Sequence, residues 1–204
     1  MNGKETMMET LGELERPHIV TYALIELLNI AISRLVAIEA YQEAVKNHDL
    51  PADKDSWFDV AFEAILECLV LDIASLLDKG KIQIRKTVST NCNFKELKYV
   101  LENTENGPVR FHGIIDRIDA LCDANKDLLP DKLRHKRIAH KDLDELFNHD
   151  TTSVIDLARM KAFLTEGRCI TSDLMEMLVG ARLKPYDFEA AKQSQVASIL
   201  RSNQ

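Results

Sequence analysis

The chain reads as an all-α protein, a single-domain helical bundle of about six to seven helices with the longest ones toward the N-terminus. Apolar residues recur at three- and four-residue steps over long stretches, the period of an amphipathic helix. Strand-like alternation is confined to one short piece. Seven Gly and five Pro in 204 residues leave few interruptions, and most of them cluster where that periodicity lapses.

Residues 1–15 are polar without a clear period and read as a loose N-terminal arm or an added turn. Pro17 suits the first turn of a helix, where its missing N–H costs nothing. From there Val20, Leu24, Leu27, Leu28, Ala31, Leu35 and Ile38 predict a long amphipathic helix to about Lys46. Pro51, within Asn47 to Ser56, breaks it. Asp55 or Ser56 can cap a second helix from Trp57 to about Asp78. Its polar strip of Asp59, Glu63 and Glu67 is narrow and the rest is apolar, which predicts the central helix of the bundle. Asp72 lies off that strip; an unpaired carboxylate there is costly, so a hydroxyl or a cation is expected beside it.

After Gly80, Ile82, Ile84 and Val88 alternate as in a short extended piece. With Lys79, Lys81, Arg85 and Lys86 it reads as a solvated linker or as a second basic lip to a substrate groove. Asn93 and Glu96 have the spacing of a capping box for a short helix that stops at ENTENG. Pro108 reopens helix at about Val109, with Phe111, Ile114, Ile115, Ile118 and Leu121 inward, fading at DANKD. A further helix runs from Pro130 to Asn148. Ser153 with Asp156 resembles a capping box for a long helix through Leu178 in which Gly167 is a candidate break. Pro185 separates a final helix, Asp187 to Arg201, polar enough to dock on the bundle or on a partner.

A net charge of −7 argues against a broad basic surface that coats nucleic acid, so any contact with RNA is local. Cys68, Cys92, Cys122 and Cys169 are scattered without zinc-ligand spacing and read as reduced thiols. The acidic start resembles no secretory leader. The most apolar stretch, Ala64 to Leu77, is too short to span a bilayer, so a soluble cytoplasmic protein is expected, with no membrane contact.

Chemistry concentrates in Asp131 to Asp144, DKLRHKRIAHKDLD. On a helical wheel Leu129, Leu133, Ala139, Leu143, Leu146 and Phe147 form a core-facing seam. Arg134, Arg137 and Lys141 make a cationic strip beside it, with His140 at the border. That arrangement could cradle an anion. The bland alternative is a solvated charged face balanced by Asp131, Asp142, Asp144 and Glu145.

The order Arg134, His135, then His140, Lys141 and Asp142 resembles the mark of the HEPN superfamily: an arginine, a polar neighbour, and a histidine after about four to six residues. The form R-H-K-R-I-A-H-K-D looks most like its abortive-infection branch. A helix ending in Leu-Leu-Asp, two intervening helices and a basic Arg-to-His helix extend the similarity over roughly residues 56–150. The resemblance implies an HEPN-like bundle over 16–182, followed by a C-terminal helical tail, 183–204. It implies a homodimer acting as a metal-independent ribonuclease or toxin, with a nucleotidyltransferase-like antitoxin as a possible partner, or else a module that only binds RNA or a protein.

For RNA cleavage, Arg134 would bind and stabilise phosphate and His140 would act as acid-base, its imidazolium disfavoured by neighbouring arginines. His135, Arg137 and Lys141 would orient the backbone. On an ideal helix Arg134 and His140 point roughly 120° apart. Either the helix starts irregularly near Arg134 or two chains share one cleft. No cofactor or metal is expected: Glu15 to His18 contains Pro17, and His149-Asp150 has no convincing second pair of ligands.

Overall fold

The computed structural model describes residues 3–47, 57–77, 82–84, 87–89, 92–129 and 156–202. The periodic segments form α1 (Gly3–Lys46), α2 (Trp57–Leu77), α3 (Phe94–Glu102), α4 (Gly107–Arg110), α5 (His112–Ala124), α6 (Leu157–Val179) and α7 (Phe188–Ser202). They pack as an all-α helical bundle. The short alternating piece is a hairpin of β1 (Ile82–Ile84) and β2 (Thr87–Ser89), antiparallel with Gln83 opposite Val88.

The helix shared by the others is α1, not α2. It packs on α2, α3, α6 and α7, whereas α2 packs on α1 and lightly on α3. Leu24, Leu28, Ala31, Ile32, Leu35 and Val36 are all at most 1% exposed and span roughly 140° of its circumference, a broad core-facing stripe. Each aliphatic side chain so buried contributes roughly 1.5–3 kcal/mol, so apolar packing rather than ion pairing holds the bundle. The apolar composition of α2 overstated its centrality, because Val60 and Ala64 on its outer side stay exposed.

Two expectations about α1 change. The described helix includes Gly3, so Pro17 lies inside it rather than in its first turn, and residues 3–15 are helical. The upstream residues Glu, Met, Leu and Lys are strong helix formers and carry it through the proline. The Thr21 hydroxyl donates to the Pro17 carbonyl at 2.7 Å. Residues 16–46 also form a helix long and apolar enough, by length and composition, to cross a membrane, a property assigned above to no segment. In this fold Arg34, Glu39 and Glu43 of that helix meet polar partners on α2, α6 and α7.

Asn93 caps α3 as its spacing predicts, accepting from the Glu96 amide at 2.8 Å, while the buried Glu96 carboxylate faces Arg16 of α1 at 3.4 Å. The turn to α4 needs Gly107: a Cβ there would lie 1.9 Å from the Leu101 carbonyl oxygen. Phe111, fully buried, separates α4 from α5, and Ile114, Ile115, Ile118 and Leu121 all face inward.

Helix α6 runs unbroken through Gly167, antiparallel to α1, with Lys161 on Glu39 and Arg168 on Asn29. Gly167 serves approach rather than interruption, since a Cβ would sit 2.6 Å from Phe94 Cζ and 3.2 Å from Leu28 Cδ2. The cap of α6 is Asp156, which accepts from the Arg159 amide at 2.9 Å; Ser153 lies outside the described residues. The last helix, α7, lies along α1, tied by Lys192 to Glu43 at 2.9 Å. Lys161 sits 4.8 Å over the Phe188 ring.

Candidate functional site

Arg134, His135, Arg137, His140 and Lys141 lie outside the described residues, as do His149 and Asp150. What the structure places is the pair of anchors from which residues 130–155 depart and return. On the outgoing side Leu128 and Leu129 are buried at 3% and 2% exposure. On the returning side Asp156 starts α6. Arg159 joins the two, donating to Asp127 Oδ1 at 2.9 Å and to the Ala124 carbonyl at 3.2 Å. The hydrogen bond from Arg159 holds the Asp127 carboxyl below its ordinary range. One guanidinium thus joins the described residues on either side of 130–155.

The hairpin that carries the other basic residues is anchored elsewhere. Cys92, just after it, donates to the Val20 carbonyl of α1, while the α6 start lies near Glu39. At 1.5 Å per residue these levels on α1 are roughly 28 Å apart. The anchors of the two basic stretches therefore sit at opposite ends of the bundle axis. Lys79, Lys81, Arg85 and Lys86 themselves lie outside the described residues.

Among the described residues a concave surface with polar groups lies on α1. A groove of about 380 Å³ is lined by Glu26, Asn29, Ile30, Ser33, Arg34 and Ala37 of α1 and by Ile65 of α2. Arg34 Nη1 donates to Asp72 Oδ2 and, at 3.4 Å, to the Cys68 carbonyl. The cation expected beside Asp72 is therefore Arg34. Burial pushes the Asp72 carboxyl above its ordinary range, with the Arg34 hydrogen bond and charge opposing. Because the guanidinium is already engaged by its carboxylate, the pair cross-ties α1 to α2 and is not a free acid-base couple.

Sequence reasoning found Asp72 but not its partner. The available signal was Asn29, Ser33 and Arg34 interrupting an otherwise apolar helix. Among the described residues no group of three or more His, Cys, Asp or Glu side chains could hold a metal ion. No family model, no curated protein and no solved structure matches this chain.

Proposed function

We propose that the chain is a metal-independent endoribonuclease or ribonuclease-like toxin of the HEPN type, acting in the cytoplasm within a phage-defence or toxin-antitoxin system. The observation that carries this reading is Arg134 followed by His140 six positions on, in a cationic stretch of an otherwise acidic chain. The all-α bundle of the described residues is compatible with that reading.

In the proposed reaction the ribose 2′-hydroxyl attacks the adjacent phosphorus and the 5′-oxygen leaves. His140 takes the 2′ proton, and a protonated imidazole returns one to the 5′-oxygen. Arg134 offers two N–H groups in a fixed fork to the phosphorane oxygens, which a lysine cannot imitate. His135, Arg137 and Lys141 hold the backbone. The chain pairs as a homodimer, so that Arg134 and His140 can come from two protomers, and a nucleotidyltransferase-like antitoxin would restrain it. The acidic pI of 5.4 favours a second reading, a non-catalytic module that binds RNA or a partner protein through the same strip.

Incubating the full chain with RNA in EDTA, beside His140→Ala and Arg134→Ala, separates the two. Loss of general acid-base catalysis should slow cleavage by roughly 100-fold or more. Equal cleavage by all three proteins would remove these residues from the mechanism. RNA binding without cleavage by the wild type would establish the module.

A further inference from the structure

Along α1, Ile19, Ala23, Glu26, Ile30, Ser33 and Ala37 follow one another in alternating steps of four and three. That is the 3.5-residue seam of paired helices, and here it faces outward. Ile19 is 57% and Ile30 44% exposed, Glu26 is exposed between them, and Ser33 is exposed just after Ile30. The groove beside Ile65 opens along the same face. Single exposed apolar residues need no explanation, but two isoleucines in register on one seam bordering a groove are a different matter.

We propose that this face packs against the same face of a second copy, antiparallel about a twofold axis through Ile30. The inference rests on the homodimer of the reading above and names its surface. A twofold at Ile30 sets each position n residues after it against the position n residues before it in the other copy. Ile30 then meets Ile30, and Ala23 meets Ala37. Glu26 meets Arg34, and does so twice. A parallel pairing would instead set Glu26 against Glu26 and Arg34 against Arg34, so the charges select the antiparallel one.

Both charged groups can serve. Glu26 is exposed and forms no ion pair among the described residues. Arg34 uses Nη1 within its own chain, yet its side chain is 34% exposed and lines the groove. The small side chains at Ala23 and Ala37 let the two backbones approach. From Ile19 to Ala37 the seam is roughly 27 Å long, and at about 10 Å wide it offers on the order of 270 Å² per copy. A standard interface uses about 800 Å² per partner, so this pairing is weak and concentration-dependent.

Sedimentation velocity of the full chain over roughly 5 to 200 µM reads it out. The wild type should shift from monomer to dimer across that range. Glu26→Lys, which replaces two attractions by two repulsions, should raise the dissociation constant by roughly tenfold. Ile30→Glu should abolish pairing, with far-UV circular dichroism unchanged because the side chain is exposed. In a Cys169→Ser background, Ile30→Cys should be joined into dimers by a short bismaleimide, whereas Val109→Cys should not. Dimerisation unaffected by either charge variant overturns this surface. A monomer throughout overturns both the surface and the homodimer, and neither result bears on whether His140→Ala loses RNA cleavage.

Discussion

A methyl group is the margin on which α6 meets α1 and α3. Gly167 is buried, and the atoms that a Cβ would strike belong to Phe94, at 0% exposure, and to Leu28, also at 0%. Neither ring nor branch can swing into solvent. Gly167→Ala gains about 1 kcal/mol in helix propensity, but overpacking of this kind costs roughly 1–3 kcal/mol. We expect net destabilisation on chemical denaturation, partly relieved when Phe94→Leu is added, so that the two changes are less than additive. A more stable Gly167→Ala chain would show that the helices separate freely there. The contrast with Asn93 says what sequence can disclose at this scale. An N-cap is local and is legible three residues away, whereas the reason for Gly167 comes from side chains on two other helices.

Between elements, polar contacts fix the register that apolar packing leaves loose. Asp72 with Arg34 keys α2 to α1, as Lys161 with Glu39 keys α6 and Lys192 with Glu43 keys α7. Removing the guanidinium in Arg34→Ala strands a half-buried carboxylate and should cost roughly 1–3 kcal/mol at neutral pH, more than Asp72→Asn costs. Burial raises the Asp72 carboxyl above its unfolded value near 3.8, so the folded chain binds that proton more tightly. Its contribution to stability is full below pH 3.8 and is lost as pH rises through the raised folded value. The wild type should therefore lose stability relative to Asp72→Asn as pH climbs through that window, in paired denaturation curves. The opposite slope would mean that the ion pair outweighs desolvation. Element identities were legible because α1, α2, α5 and α6 announce themselves by period. Their ranking was not, because which helix lies at the centre depends on how many neighbours it meets, and α1 meets four while α2 is the more uniformly apolar.

For the molecule as a whole, the bundle gives residues 130–155 a fixed base in Leu128, Leu129 and the Arg159 clamp on Asp127. The motif itself was legible because Arg134 and His140 stand out by type and spacing in an acidic chain. Their proposed meeting around one phosphate is not legible in the same way, since on an ideal helix the two side chains point roughly 120° apart. The central claim is that an internal ribose hydroxyl, activated without a metal, displaces the 5′-oxygen. Mass spectrometry of the ends left on RNA by the wild-type protein in EDTA tests it most directly. We expect 2′,3′-cyclic phosphate on one fragment and 5′-hydroxyl on the other, with no product from an all-2′-deoxy substrate; 3′-hydroxyl and 5′-phosphate ends, or cleavage that requires a divalent metal, would rule the reaction out.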